Sequence, residues 1–246
     1  TWSKTLTNAG SLGNEFSGFT QDFYNAAGEK ALSINDYPSN LVFSYQYDLP
    51  FGPGKKWANK AGAAGKVLGG WSIAGIQQYR SGAPQMVISS GNSLFPYMSD
   101  NWFTTRPNVI PGVEKKSAAI LNGTWDPNGI GEAGSRFNIN AWTDPAPYTY
   151  GNAPVTDGAI RQLPFYQEDF SIKKQTKFND RVSIEFRVDF LNAFNRVLFS
   201  FDQGGDQYGN ILGGGVLSGT SLGPFGHEVG QTNPPREIQF GLKINY

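Results

Sequence analysis

The sequence contains few of the side chains that metal centres and nucleophilic catalysis use. It has no cysteine and one histidine, His227, which lies in the glycine-rich segment 223–228. Metal sites and Ser-His-Asp triads need several such groups close together. We therefore interpret His227 as a solvent-exposed loop residue and expect no metal, no cofactor and no catalytic residue.

Three charged residues at alternate positions could in principle supply an acid and a base. Glu185, Arg187 and Asp189 share one face of the chain if this segment is extended. Carboxylates at such spacing can serve as general acid and base. The simpler interpretation is that the three residues form the polar side of a two-faced strand. We therefore predict that the protein is not an enzyme.

Two glycine-containing segments have a partial similarity to ligand-binding loops. Asp126-Pro127-Asn128-Gly129 is similar to the start of a calcium loop, but Phe137 stands where the loop requires its final acid. Glycines 213–215 lack the Lys-Ser/Thr pair of a phosphate-binding loop. We interpret the first segment as a turn and the second as a loop.

Aromatic residues in segment 81–164 are the strongest candidates for a binding surface. Exposed aromatic rings can stack on sugars or hold a peptide. Alternatively, they pack the segment into a compact cap, because a segment of this length must bury apolar surface to be ordered. Both interpretations remain open from the sequence. The candidate residues are Phe95, Tyr97, Trp102, Phe103, Trp125, Trp142, Tyr148 and Tyr150.

Composition excludes several classes of protein. Twenty basic and 20 acidic residues cancel, so we expect no nucleic-acid partner. No run of about 18 apolar residues is present, which excludes a transmembrane helix, whereas a transmembrane strand needs only about 9 to 11 residues. The chain starts at Thr1 without an initiator Met or a signal-peptide pattern, and we interpret it as a fragment.

Alternation of apolar and polar residues predicts β-strands. It is clearest at 182–190, where every second residue is apolar, and at 236–246, which ends on an aromatic residue. Strands are predicted near 1–6, 40–49, 68–80, 165–175, 181–194 and 236–246, with long loops at 7–39, 81–164 and 195–235.

Short and long connections alternate between these strands. Short or moderate links at 49–70 and 177–181 alternate with the three long loops. Outer-membrane barrels have short periplasmic turns at one end and long extracellular loops at the other. The pattern therefore predicts an all-β fold: an antiparallel transmembrane β-barrel segment with long extracellular loops. We expect these residues to face its lumen: Ser183, Glu185, Arg187, Asp189, Gln239 and Lys243.

The order of local motifs resembles the C-terminal barrel region of TonB-dependent outer-membrane receptors. The resemblance is greatest to the Oar-like type, which carries a carboxypeptidase-regulatory-like domain. It spans nearly all 246 residues. The motifs are Thr1-Trp2-Ser3-Lys4, Tyr47-Asp48-Leu49-Pro50-Phe51-Gly52, Gly54-Lys55-Lys56-Trp57, Gly70-Trp71 with Ile73 and Gly75, Ser81-Gly82-Ala83-Pro84, Arg106-Pro107-Asn108-Val109, the run 186–195 and the terminal run 236–246.

The resemblance implies a barrel of about 22 strands with an N-terminal plug in its lumen. Six strands cannot close a membrane barrel, so we expect this sequence to be the C-terminal part, with the plug and early strands absent. The implied partners are outer-membrane lipid, the rest of the receptor, the TonB complex through the missing N-terminal part, and an unidentified ligand.

The last strand also resembles the signal that the barrel-assembly machinery recognises. A terminal aromatic residue can sit at the membrane interface with its ring in hydrocarbon. An ordinary amphipathic edge strand that ends on tyrosine is the alternative. The signal residues are Gln239, Gly241, Leu242, Ile244 and Tyr246.

Our prediction is the barrel portion of a TonB-dependent receptor or transporter in the bacterial outer membrane. It binds a ligand at extracellular loops and passes it through a plugged lumen. The rival hypotheses are a secreted or surface-displayed all-β binding or structural module, and a barrel fragment that is a subunit of a larger envelope complex.

Overall fold

The described part of the chain forms two compact units. The computed structural model describes residues 1–8, 21–22, 24–59, 62–89, 106–129, 133–179, 181–200, 210–213, 226 and 230–246. We call residues 40–80, 165–198 and 233–246 the strand unit, and residues 1–39, 81–164 and 199–232 the connection unit.

Strands predominate over helices in both units. Among the described residues, no helix is long and apolar enough to cross a membrane. In chain order the strands are β1 Leu6–Thr7, β2 Ala31–Leu32, β3 Asn40–Asp48, β4 Trp71–Arg80, β5 Pro84–Ser89, β6 Asn108–Val109, β7 Trp142–Thr143, β8 Asp157–Arg161, β9 Phe165–Lys177, β10 Ser183–Leu191, β11 Phe199–Ser200, β12 Asn210–Gly213, β13 Gly230–Gln231 and β14 Glu237–Asn245. The helices are α1 Gly62–Leu68, α2 Ala118–Leu121 and the 3-10 helix Ile139–Ala141.

A five-stranded antiparallel sheet forms the strand unit. Its order is β14-β10-β9-β4-β3, and every neighbouring pair is antiparallel. These strands are rich in the aromatic and β-branched residues that fit a pleated surface. The coarser part of the predicted fold is confirmed: the described residues are mostly β-strands, and this sheet is antiparallel throughout.

Polar and apolar side chains separate onto opposite faces of this sheet. Asp189 of β10 lies opposite both Gln239 and Ser171 on the neighbouring strands, whereas Val188 lies opposite Phe240. Residues paired in this way point to the same side of the sheet, and successive residues point to opposite sides. The result is one polar face and one apolar face that continue across all five strands.

The two ends of the sheet differ in the length of their connections. Where β3 and β9 end, residues 49–70 join β3 to β4, and residues 178–182 join β9 to β10. At the other end, residues 81–164 join β4 to β9, and residues 192–236 join β10 to β14. We call these the short-connection end and the long-connection end. The structure has the alternation that the sequence predicts.

Short strands and a separate core organise the connection unit. Strand β5 pairs with β8 in the antiparallel sense and with β12 in the parallel sense. Apolar side chains from segment 81–164 meet in the core, where they are shielded from water. The buried members of this core are Val87, Phe137, Ala141, Trp142, Ala153 and Ile160.

Buried carboxylates of the N-terminal segment form ion pairs with arginines of segment 81–164 inside the connection unit. The Arg106 guanidinium donates to both carboxylate oxygens of Glu29, at 2.7 and 3.0 Å, and both side chains are about 5% exposed or less. Arg161 donates to Asp36 at 2.7 Å. Breaking such a pair leaves an uncompensated buried charge, which is strongly destabilising. These contacts join residues that are 77 and 125 positions apart in sequence.

The structure corrects two details of the predicted organisation. Residues 1–6 contribute an isolated bridge from Trp2 to Ser39 and the start of β1, and they lie in the connection unit rather than in the five-stranded sheet. Among the described residues, β1 pairs with β2 and with none of the five strands of that sheet. Segment 81–164, expected as a loop, contains several short strands and helices around its own core.

Candidate functional site

The polar face of the strand unit carries linked charges near the middle of the sheet. The Arg187 Nε donates to Asp189 Oδ1 at 2.7 Å and to Ser171 Oγ at 3.2 Å. Gln239 lies directly opposite Asp189 on β14. Because Arg187 is 55% exposed, this pair is solvated and contributes little to stability by itself. It is better suited to contacting a polar partner than to fixing the fold.

A concave surface on this polar face encloses a volume of about 660 Å³. Side chains from all five strands contribute to it, including Arg187, Asp189 and Asp169. Guanidinium, carboxylate and hydroxyl groups together can donate and accept hydrogen bonds across the surface. The arrangement offers hydrogen-bonding groups for reversible polar contacts.

The six residues predicted to face a lumen share this polar face. Ser183, Glu185, Arg187 and Asp189 alternate along β10, and Lys243 lies opposite Glu185 on β14. The opposite charges of Glu185 and Lys243 thus face each other across neighbouring strands, a favourable cross-strand pair. The structure brings the predicted set together, and their lumen role stays a prediction.

The apolar face exposes large side chains to its surroundings. Phe240, Leu242 and Ile244 of β14 are 72, 68 and 56% exposed. Phe186 stacks on Phe240 with ring centroids 6.3 Å apart, so the exposed side chains still pack against one another. Soluble monomers rarely expose a continuous apolar patch of more than a few hundred Å². A nonpolar environment, such as the lipid of a bilayer, is the natural cover for this face.

A glycine on β4 allows an aromatic ring to lie flat on the apolar face. Tyr45 of β3 is paired with Gly75 of β4. A Cβ atom at Gly75 would lie 2.8 Å from the Tyr45 hydroxyl oxygen. The missing side chain therefore makes room for the ring, a device that protects sheet glycines and fixes strand register.

The predicted assembly signal divides between the two faces of β14. Leu242 and Ile244 lie on the apolar face, and Gln239 and Gly241 lie on the polar face, as their partners on β10 show. Tyr246 follows the strand, and its side chain is fully exposed. Strand β14 therefore presents an apolar face that is compatible with lipid. Its recognition by the assembly machinery stays a prediction.

A hydrogen-bonded junction at the long-connection end was not anticipated from sequence. Asn192 has a φ of 47°, and its side chain accepts from the Arg196 backbone N–H at 2.7 Å. The same side chain donates to the Arg196 and Pro234 carbonyl oxygens at 2.9 and 3.1 Å. Its backbone N–H donates to Asp169 at 2.9 Å. Asparagine tolerates this left-handed conformation better than most residues.

A buried carboxylate on the apolar face belongs to the same junction. Glu168 is 1% exposed, and its Oε1 accepts from the half-exposed Arg196 at 3.2 Å. The Arg196 Nε also donates to Glu168 Oε2 at 3.4 Å. Burying a carboxylate without partners is costly, so these donors permit its position. In the sequence, the only sign of this site is that Glu168 alternates with Tyr166 and Phe170, which are aromatic.

The aromatic residues predicted to contact a ligand have different environments. Trp142 is 3% exposed and lies in the core of the connection unit, so it offers no ring surface to a ligand. The Trp125 indole donates to the Gly134 carbonyl at 3.0 Å. Tyr148 and Tyr150 are 72 and 49% exposed, and their ligand role stays a prediction. The rest of the predicted set, Phe95, Tyr97, Trp102 and Phe103, lies outside the described residues.

Little in the described residues favours an ion site. No group of three or more acidic or histidine side chains there could hold a metal ion. Asp126 and Gly129 form a turn, in which the Gly129 backbone N–H donates to the Asp126 carbonyl at 2.8 Å. His227 lies outside the described residues.

An antiparallel sheet with one polar face, one exposed apolar face and alternating connection lengths is the construction of a membrane barrel wall. The comparison with protein families agrees, since the model of the outer membrane beta barrel domain matches residues 1–239. The chain belongs to this family, and its place is the bacterial outer membrane. No curated protein and no solved structure matches the chain significantly.

Proposed function

We propose that this chain is the barrel-wall portion of a TonB-dependent outer-membrane receptor that imports or exports a ligand. The observation that carries the proposal is the polar face of the strand unit, with its charged groups around a concave surface of about 660 Å³. Receptors of this class hold a plug domain inside the barrel, and a wall rich in paired charges suits contact with a folded plug. The chain itself performs no catalysis.

The sheet edges support a larger barrel. Strands β14 and β3 are the outermost strands of the sheet among the described residues. An open strand edge in lipid leaves backbone groups without hydrogen-bond partners. We therefore propose that both edges pair with further strands of the same wall. Pairing with strands of another subunit is the alternative, and crosslinks from each edge would tell these apart.

The connection unit is the proposed site of ligand capture. It has its own core and buried ion pairs, so it can present a defined surface outside the membrane. The exposed rings of Tyr148 and Tyr150 lie on this unit. Rigid amphipathic rings of this kind contribute strongly to binding sites for sugars and peptides.

Binding to TonB tests the proposed receptor class. The full-length polypeptide that carries this sequence would be purified in detergent and titrated with the periplasmic domain of TonB from the same bacterium. A saturable complex is expected. Absence of binding, while an established receptor binds under the same conditions, would overturn the TonB assignment and leave the barrel wall intact.

A further inference from the structure

Positive charge is concentrated at the short-connection end of the sheet. Residues 49–70 contain four lysines and no acidic residue, although the whole chain has no net charge. Lys173, Lys177 and Arg181 add positive charge on and after β9, and Asp48, Asp180 and Glu185 are the acids nearby in sequence. The long-connection end has both signs in similar number. The two ends of the strands therefore differ in net charge, and the short-connection end is the positive one.

Exposed apolar and aromatic side chains accompany these lysines. Phe51 and Trp57 are 39 and 51% exposed, with ring centroids 5.7 Å apart. Val67 of α1 is 66% exposed and Phe178 is 53% exposed. Such mixtures of rings and lysines are typical of the boundary between hydrocarbon and headgroups. We call Lys55, Lys56, Lys66, Lys174, Phe51, Trp57, Val67 and Phe178 the basic belt.

Helix α1 is fixed to the sheet, which gives the basic belt a defined shape. The Lys174 ammonium donates to the Lys66 carbonyl at 2.6 Å and to the Gly69 carbonyl. It also lies 5.4 Å from the centre of the Trp71 ring, whose indole donates to the Val67 carbonyl at 3.1 Å. The helix is therefore held beside the apolar face of the sheet.

Three of the belt lysines, Lys55, Lys56 and Lys66, are available to an external anion. The Lys56 and Lys66 ammonium groups lie 5.2 and 5.5 Å from the ring centres of Trp57 and Phe178. Among the described residues, Lys55, Lys56 and Lys66 form no ion pair with a carboxylate. All three side chains are exposed. A partner with negative charge and an apolar body fits this surface best.

We propose that the basic belt binds the headgroups of anionic glycerophospholipids, such as phosphatidylglycerol, in the periplasmic leaflet of the outer membrane. Short turns of outer-membrane barrels lie on the periplasmic side, so this end of the sheet meets that leaflet. Lys55, Lys56 and Lys66 bind the phosphate, while the rings and Val67 contact the glycerol and upper acyl chains. The inference rests on the outer-membrane placement of the family and does not depend on transport.

Lipid titration of a matched pair of variants tests the proposal. The full-length polypeptide in detergent is titrated with phosphatidylglycerol, and bound lipid is counted by native mass spectrometry. The belt variant is K55Q/K56Q/K66Q. The control K4Q/K30Q/K116Q removes the same charge from exposed lysines of the connection unit. Each lysine near an anionic surface strengthens binding about fivefold, and we reduce this because the three side chains are exposed to water. We therefore expect the belt variant to bind about tenfold more weakly than the parent, and the control to bind less than twofold more weakly.

Further measurements distinguish binding of the anionic lipid from binding of free phosphate or of a lipid without net charge. Phosphatidylcholine is expected to bind at least tenfold more weakly than phosphatidylglycerol, and millimolar inorganic phosphate is expected not to compete. A K55R/K56R/K66R variant keeps the charge and should bind within twofold of the parent, which guards against a folding defect in the belt variant. Equal losses in belt and control variants, competition by phosphate, or equal binding of phosphatidylcholine would overturn the proposal. TonB binding should be unchanged in every variant.

Discussion

A lysine placed on either face of the central strand should distinguish lipid from water. Strand β9 spans Phe165–Lys177, so Ser171 is its middle residue and Ile172 is the next. Ser171 lies opposite Asp189 on the polar face, and Ile172 lies opposite Val188 on the apolar face. The two positions thus have nearly the same depth but opposite surroundings.

The expected magnitudes differ widely between the two substitutions. Lysine facing lipid near the bilayer midplane costs about 2–4 kcal/mol, so Ile172→Lys should lower the folded-to-unfolded ratio about 30- to 800-fold. Ser171→Lys places its ammonium near Asp189 and near the Arg187 guanidinium, which lies 3.2 Å from Ser171 Oγ. Attraction and repulsion then largely offset in a solvated site, and we expect a change within about 1 kcal/mol.

The assay is equilibrium unfolding of the full-length polypeptide in phosphatidylcholine vesicles. Urea titrations followed by tryptophan fluorescence give the free energy of unfolding of each variant. Heat-modified migration on gels confirms that each variant is folded before titration. Equal destabilisation by both substitutions, or a larger effect of Ser171→Lys, would refute the assignment of the two faces.

Three further predictions use the same unfolding measurement. Gly75→Ala forces its Cβ against the Tyr45 ring and should cost about 1–3 kcal/mol, an effect that Tyr45→Ala in the same chain should remove; a cost that persists would contradict the contact. Arg196→Ala leaves the buried Glu168 carboxylate without its cation and should cost about 2–3 kcal/mol, against about 1 kcal/mol for Glu168→Gln; the reverse order would contradict the buried pair. Asn192→Ala should cost about 0.5–1 kcal/mol more than Asn192→Gly because only alanine is strained at positive φ; equal costs would contradict that conformation.

Strand positions were predictable where one face meets a nonpolar medium. In β10 and β14, apolar residues alternate strictly with polar ones, and both strands lie where this period indicates. Strand β9 extends to Lys177, beyond the predicted end at 175, because Lys173, Lys174 and Gln175 interrupt the alternation near the short-connection end. Polar residues at successive positions belong to both faces of the strand, so the hydrophobic period is lost there.

Long-range packing was not predictable from local pattern. Trp142 reads as a candidate binding residue in a polar segment, yet it is buried with residues that are up to 55 positions away, such as Val87. The Glu29 and Arg106 pair joins two stretches that have no periodic signal. Partners so distant are set by tertiary contacts, which a single sequence does not reveal.

Site-directed fluorescence along β10 tests the two-faced membrane sheet most directly. Residues 1–246 contain no cysteine, so single cysteines at residues 184–189 can each carry a bimane label once any cysteine elsewhere in the full-length polypeptide is replaced by serine. The full-length polypeptide is reconstituted in vesicles with and without brominated phosphatidylcholine. We predict strong quenching at Ile184, Phe186 and Val188 and weak quenching at Glu185, Arg187 and Asp189. Quenching that lacks this two-residue alternation would contradict the barrel-wall account.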